Sequence, residues 1–189
     1  MRAARACEAV RRALVKAAGP HLSAHRERLP PFGALLERAT RLFGADGLLR
    51  DDASPVLAAA RSRLRKRRDE VSRQLERLVG DRHDALGDAV VVLRNDRYCL
   101  PVLASARGRV PGIVHDRSGS GQTVFVEPLE VVEANNDLAL LAAEERREAE
   151  RLLTEFGRLL LTERPALEGA VGDLAALDAL EAKVGFGET

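Results

Sequence analysis

The segment Gly108–Pro128 holds the side chains of this chain that are best suited to bind an anion. Its sequence is GRVPGIVHDRSGSGQTVFVEP, in which arginines and a histidine surround a glycine-serine loop. Guanidinium groups bind phosphate through several N–H donors, and the backbone N–H groups of such a loop can bind the same ligand. The β-favouring runs 113–117 and 123–127 flank the loop 118–122, which predicts a β-hairpin. We therefore expect an anion-binding hairpin, with an ordinary solvated hairpin as the alternative.

The residue order in this hairpin does not indicate catalysis. On a regular strand, His115 and Arg117 share one face and Asp116 lies on the other, which argues against a His115–Asp116 catalytic pair. Ser118 and Ser120 stand in the sequence SGSG, which differs from the nucleophile motif GxSxG. The hairpin is expected to bind a ligand and not to transform it.

The lysines exclude a nucleotide site of the P-loop type. The chain has three, Lys16, Lys66 and Lys183, and none follows a glycine as the Walker A motif requires. A zinc site is not expected either, because His21 and His25 have helical ligand spacing but lack the glutamate of a zinc protease motif and a third ligand. We expect this chain to be no enzyme and to hold no cofactor and no metal.

The composition is that of a soluble globular chain. Of 189 residues, 46% are hydrophobic and 31% are charged, and a net charge of +1 leaves any nucleic-acid binding to local patches. Cys7 and Cys99 form no CxxC pair, which is typical of a reducing cytoplasm and predicts neither a disulfide framework nor a zinc site. No secretory signal and no run of about eighteen apolar residues occur, so we expect a cytoplasmic protein without a membrane span.

Helices are expected on both sides of the β-forming segments. Residues 1–50 predict short amphipathic helices that form a packing base. Asp52 or Ser54 as N-cap, followed by Pro55, is typical of the start of a long helix, which should end near Val79. Apolar residues recur along that helix every seven positions, and this repeat indicates a partner helix along its whole length.

The remaining elements complete a fold that is mainly α with a small antiparallel β module. The runs 90–93 and 98–103 add two strands to the hairpin, and a returning helix is expected from Pro128 to about Arg164. Pro165 should break the chain before a final helix. The predicted domains are 1–87 (helical core and outgoing lever helix), 88–128 (β clamp) and 129–189 (returning lever helix and final core helix).

Opposite charges predict how the two long helices are arranged. Residues 61–77 carry eight basic and three acidic side chains, and residues 130–163 carry nine acidic and four basic ones. Net charges of opposite sign on facing helices favour pairing. We expect an antiparallel two-helix arm with the β clamp at its tip, in which the acidic helix neutralises the arginines at 61–77.

The β clamp holds the candidate nucleic-acid contacts. Tyr98 and Phe125 are expected to form its interior, so base stacking is not predicted. Asn135 and Asn136 should hydrogen-bond backbone where the arm joins the clamp. The candidate contact residues are Arg94, Arg97, Arg107, Arg109, His115, Arg117, Ser118 and Ser120.

Three segments resemble the MutS-like proteins, specifically the second bacterial type. Besides the hairpin, Arg50–Leu64 (RDDASPVLAAARSRL) is similar to that family's entry into its lever helix, and Val132–Leu138 (VEANNDL) to the start of the returning helix. The resemblance extends from about residue 51 to 160. Asp96 stands where the family has glycine in an NGRY turn, and Leu103 stands where it often has a lysine.

The resemblance implies a longer parent protein. Such a parent is a dimeric ATPase that uses ATP and Mg²⁺, grips duplex or branched DNA, suppresses recombination in DNA repair and often carries an Smr endonuclease domain. Some relatives are thought to act on stalled ribosomes, which adds ribosomal RNA as a partner. The alternative function for this chain is a structural coiled-coil arm that dimerises or transmits ATPase motion and has no ligand.

Overall fold

The computed structural model describes residues 1–16, 27, 29–88 and 90–187. Within those ranges the chain is mainly helical and carries a small antiparallel sheet, which confirms the predicted fold class. The α-helices are α1 (Arg2–Lys16), α2 (Gly33–Leu42), α3 (Pro55–Asp81) and α4 (Leu129–Gly187). The strands are β1 (Val92–Arg94), β2 (Arg97–Leu103), β3 (Gly112–Arg117) and β4 (Thr123–Pro128). None of the helices in the described ranges is long and apolar enough to cross a membrane.

The chain divides into two compact units. The helical unit comprises Met1–Ala53 with Ala149–Thr189, and the arm-and-clamp unit comprises Ser54–Glu148. In the helical unit, Phe32 precedes α2 as its N-cap residue, but its side chain provides no cap. The Glu8 carboxylate of α1 accepts the Phe32 N–H at 2.7 Å. Phe43 packs edge-on against Phe156 with ring centroids 5.2 Å apart. A partly buried hydrogen bond and an aromatic pair thus join the helices of this unit.

In the arm-and-clamp unit, α3 begins as the sequence predicts. Ser54 is the N-cap, its Oγ accepts the N–H of Leu57 at 3.0 Å, and Pro55 occupies the first turn. The helix then buries a stripe of apolar side chains, namely Leu57, Ala60, Leu64, Val71 and Leu75. The capped start and the regular stripe together determine which face of α3 turns inward.

Ion pairs set the direction of α4 against α3. Arg61 contacts Glu145 at 2.9 Å, and Arg67 contacts Asp137 at 2.6 Å. As the residue numbers increase along α3, the residue numbers of their partners on α4 decrease. The two helices are therefore antiparallel. The pairing predicted from their opposite charges is confirmed.

The four strands form one antiparallel sheet in the order β1-β2-β4-β3. The turn between β1 and β2 has Asn95 at φ 49° and Asp96 at φ 59°. A two-residue turn of this hand fits the twist of the strands and requires two residues that tolerate positive φ. Asparagine and aspartate do so better than most residues, and Asp96 can therefore stand where the family has glycine.

The sheet packs on the helix pair through one face. Leu100, Val102, Val124 and Val126 of the sheet form a buried cluster with Val71 and Leu75 of α3 and with Val131 and Ala134 of α4. Tyr98 packs partly buried against this cluster. Phe125 alternates with the two buried valines of β4 and so lies on the other face of the sheet, which corrects the expectation that it belongs to the interior.

The structure corrects the expected helix break at Pro165. Pro165 lies inside α4, which continues to Gly187. Proline removes one N–H from the helix ladder, but Pro165 and Leu161 are both exposed, so water can bond to the carbonyl of Leu161. An ion pair between Arg164 and Glu168 at 2.7 Å spans the same turn and supports it.

Candidate nucleic-acid interface

A β-bulge in β3 changes the predicted orientation of its side chains. Val114 pairs with Val126 and Asp116 with Phe125, so His115 is an extra residue without a partner on β4. His115 contacts Glu127, which lies on the same face of β4 as Phe125. The bulge therefore turns His115 towards the face where Asp116 lies, and the strict alternation expected from the sequence is wrong at this point.

A buried carboxylate, Glu127, organises this face. Its side chain is only 1% exposed and contacts His115 Nε2 at 2.5 Å. Arg97 Nη1 lies 3.3 Å from the same carboxylate and 2.7 Å from Asn136 Oδ1. A buried charge is tolerated when hydrogen bonds surround it, so Arg97 and His115 serve the fold. These two candidate contact residues are not free to leave their partner.

Asn135 joins α4 to the sheet. Its Oδ1 accepts the backbone N–H of Tyr98 at 3.2 Å, and its Nδ2 donates to the Tyr98 carbonyl at 3.1 Å and to Glu127 at 2.9 Å. The predicted backbone contact at the junction of arm and clamp is confirmed for Asn135. The central role of Glu127 was missed, although a single acid at the end of the β-favouring run TVFVEP was a visible signal.

Arg107 is also used by the fold. Its Nη1 donates to the Val110 carbonyl at 2.9 Å and its Nη2 to the Gly112 carbonyl at 2.7 Å. The side chain is half-buried, which corrects the expectation that Arg107 is a surface contact residue. It caps the short 3₁₀ helix Ala104–Arg109 and ties it to the start of β3.

Three other candidate arginines remain exposed. Arg94 lies 4.3 Å above the ring of Phe125 and 3.5 Å from Asp116, and its side chain is 41% exposed. Arg109 is 59% exposed and pairs with Asp84, and this hydrogen bond lowers the pKa of the aspartate. Arg117 is exposed at the end of β3, and no acceptor contacts its guanidinium among the described residues.

The loop after Arg117 is held by its own serines. Ser118 Oγ accepts the N–H of Thr123 at 3.1 Å and lies 3.3 Å from Ser120 Oγ. Gly121 has φ +73°, and a Cβ added to Gly119 or Gly121 would meet no atom within 4 Å. The loop is thus shaped by local hydrogen bonds while its glycines face open space. A phosphate group could approach its backbone there.

No group of three or more metal-ligating side chains occurs among the described residues, and His21 and His25 lie outside them. Cys99 is fully buried, and this burial raises the pKa of its thiol to about 11. Such a thiol stays protonated near neutral pH and is unsuited to nucleophilic chemistry.

Comparisons with known proteins agree with the sequence resemblance. No family model matches the chain. Proteins named endonuclease MutS2 are similar to it over most of its length. The relative from Anaeromyxobacter sp. (strain Fw109-5) is 43% identical over 192 residues, which cover 95% of this chain and 24% of the relative. The relative from Thermotoga petrophila is 37% identical over 180 residues, with the same two coverages.

A third relative, from Thermomicrobium roseum, is 45% identical over 143 residues, which cover 76% of this chain and 18% of the relative. The chain therefore spans about a quarter or less of the length of these curated relatives.

Proposed function

Because this chain belongs to the MutS2 family over the segment that it covers, we propose that it is the nucleic-acid-binding arm and clamp of a MutS-like ATPase. The ligand is the phosphate backbone of duplex or branched DNA, and the exposed arginines of the clamp bind it without reading its sequence. ATP and Mg²⁺ binding, dimerisation and the endonuclease activity in the relatives' names belong to the remainder of the parent protein. We place the protein in the cytoplasm, in DNA repair and recombination.

The observation that carries this proposal is the set of three arginines whose side chains reach solvent on the clamp, Arg94 and Arg117 on its strands and Arg109 at the end of the 3₁₀ helix Ala104–Arg109. The Arg117 guanidinium has no acceptor in the described part of the chain. Arg94 donates to the Leu93 carbonyl at 3.0 Å, and the only carboxylates near Arg94 and Arg109 among the described residues are those of the exposed Asp116 and Asp84. Exposed ion pairs contribute about 0–1 kcal/mol, so a phosphate can replace either aspartate at little cost. Ser118 and Ser120 lie beside Arg117 and can donate further hydrogen bonds.

The arrangement favours duplex over single-stranded ligands. Single-strand binding surfaces combine positive charge with exposed aromatic rings on which bases stack. In the described part of the clamp, Arg94 covers the ring of Phe125, and Tyr98 is half-buried. Backbone contacts therefore dominate, as expected for a protein that grips DNA of any sequence.

Salt-dependent DNA binding tests the proposal. Three phosphate contacts from Arg94, Arg109 and Arg117 contribute about −2.7 to the log-log salt slope on linear duplex DNA. Replacing Arg109 and Arg117 together by glutamine should reduce this slope by about 1.8 and weaken all sequences alike. Unchanged binding by that variant would refute the clamp as the contact surface. A preference for ribosomal RNA over DNA would support the clamp as the contact surface but identify RNA as its ligand.

The matched control is a pair of arginines elsewhere in the same unit. Arg146 and Arg147 of α4 are exposed, and no ion pair or side-chain hydrogen bond of either occurs among the described residues. Replacing both by glutamine removes the same charge as the clamp variant. DNA binding should then change much less, because global charge contributes little at a net charge of +1.

One observation favours the alternative function, a structural arm that dimerises. The helical unit exposes an apolar groove beside α4, in which Leu161 is 69% and Val171 is 52% exposed. An exposed apolar surface of this kind can receive a second copy of the chain. Light scattering tests this alternative by measuring the oligomeric state of the chain and of its Leu161→Gln variant. If Leu161→Gln disrupts a dimer and the chain binds no DNA, the structural function is supported instead.

A further inference from the structure

We propose a second phosphate-binding surface on the arm, formed by Lys66, Arg73 and Arg77 of α3 and named here the α3 ridge. The inference rests on the proposed function, because it assigns a further contact surface to the same duplex ligand. It reverses the expectation that the acidic returning helix neutralises the whole arginine cluster. The structure divides that cluster into a paired set and an unpaired set.

The paired set faces α4. Arg61 contacts Glu145 at 2.9 Å, and Arg63 contacts Glu144 at 3.0 Å. Arg67 contacts both Asp137 at 2.6 Å and Glu70 at 3.0 Å. Each of these arginines thus has a carboxylate partner, whereas no carboxylate of α4 lies within ion-pair distance of a ridge residue in the described part of the chain.

The α3 ridge lies on the opposite side of the helix from the core. Residues 66, 73 and 77 are spaced by seven and four positions, so they fall within about 40° of one another around the helix axis. The buried Leu64, Val71 and Leu75 lie about 160–180° from Arg73. All three ridge side chains are exposed, and no carboxylate lies within ion-pair distance of them in the part of the chain that the structure describes.

The chemistry of the ridge suits a duplex backbone. The three cations extend over about 16 Å of helix, and Arg77 Nε donates to the Arg73 carbonyl at 3.2 Å, which holds it along the helix. A duplex carries one phosphate charge per about 1.7 Å of axis, so each cation finds a phosphate in any register. Glu70 lies on the same side of α3 as the ridge, about 20° from Arg77 round the helix axis, but its carboxylate is paired with Arg67 at 3.0 Å. Asp69 and Glu76 lie about 40° and 60° from Arg73, and neither carboxylate lies within ion-pair distance of a ridge cation among the described residues.

The experiment compares three variants of the full chain on the same duplex DNA, with the salt slope as the readout. Replacing Lys66, Arg73 and Arg77 by glutamine should reduce the slope by about 2.7, since three phosphate contacts are lost. The clamp variant described above should reduce it by about 1.8 independently, because the two surfaces lie on different sides of α3. Circular dichroism should show that all variants keep their helix content.

The matched control removes three positive charges away from the ridge. Arg68 is exposed but lies about 140° round α3 from Arg73, and it is replaced together with Arg146 and Arg147 of α4. A slope that is reduced by the ridge variant and kept by this control supports the α3 ridge. Equal reduction in both would show a general charge effect and overturn it.

The failures of the two proposals differ. If the clamp variant shows a reduced salt slope and the ridge variant binds as the unsubstituted chain does, the α3 ridge is refuted and the clamp is supported. If the ridge variant alone loses binding, the ridge stands and the clamp is refuted. If the unsubstituted chain binds no duplex DNA at low salt, both proposals are refuted.

Discussion

Replacing Glu127 by alanine should lower the free energy of unfolding of the arm-and-clamp unit far more than replacing an exposed acid. The carboxylate is 1% exposed and contacts His115 at 2.5 Å, Asn135 at 2.9 Å and Arg97 at 3.3 Å. It therefore links β3, β4, the β1–β2 hairpin and α4. Its loss removes the carboxylate acceptor from three polar partners in a largely buried site, although Arg97 keeps Asn136 and Asn135 keeps the Tyr98 carbonyl as acceptors.

The magnitude follows from the burial of those partners. Breaking a buried ion pair by removing one partner costs about 3–5 kcal/mol. Arg97 and His115 are 26% and 19% exposed, so water can partly replace the carboxylate, and we expect the lower end of that range, about 3 kcal/mol. For a chain of this size, this is a loss of roughly 6–12 °C in Tm. Glu127→Gln should lose less, because an amide oxygen can still accept from Asn135.

Tyrosine fluorescence during urea unfolding measures this effect in the arm-and-clamp unit. The chain has one tyrosine and no tryptophan, and Tyr98 is bonded through its backbone to Asn135. The control is Glu130→Ala, which removes a 43% exposed acid paired with Arg82 and should cost at most about 1 kcal/mol. If Glu127→Ala and Glu130→Ala lowered the free energy of unfolding equally, the role assigned to Glu127 would be wrong.

Four further outcomes are expected. Gly112→Ala should destabilise the sheet strongly, because a Cβ there would lie 2.1 Å from the Glu127 carbonyl oxygen, whereas Gly108→Ala meets no atom within 4 Å and should be nearly neutral in thermal melts. Folding raises the pKa of Cys99 from 9.0 to about 11, so the native state holds its proton longer and stability should fall as pH rises from about 9 to 11, measured by urea titration. Leu64→Asp should cost several kcal/mol in the same titration, since that site is 7% exposed. Calorimetry should detect no ATP binding by this chain, because it contains no Gly-Lys pair.

Local signals in the sequence predict much of the fold. The Ser54-Pro55 start of α3, the two strands of the 108–128 hairpin and the opposite charges of the long helices all match the structure. Each depends on residues that are close in sequence or on a periodic pattern, so each can be derived without knowing the tertiary contacts. The expected break at Pro165 fails because one missing hydrogen bond does not end an exposed helix whose flanking turns hold.

The candidate site could be predicted only as a set of residue types. Eight candidate side chains with donor groups can be identified, but the residue order does not indicate which of them form hydrogen bonds within the fold. The bulge at His115 and the buried Glu127 depend on strand register, which joins residues 12 to 39 positions apart. Sequence alone does not specify such pairings.

The sequence by itself determined the helix and strand content, the capped start of α3, the charge pairing of the arm and the absence of a P-loop. Only the tertiary structure decided what each arginine does. Arg97 and Arg107 meet acceptors that folding brings to them, while the Arg117 guanidinium and the α3 ridge meet no carboxylate in the described part of the chain. An arginine that has an acceptor in the fold stabilises the fold, and one that has none can bind a phosphate, because the same N–H donors serve both purposes.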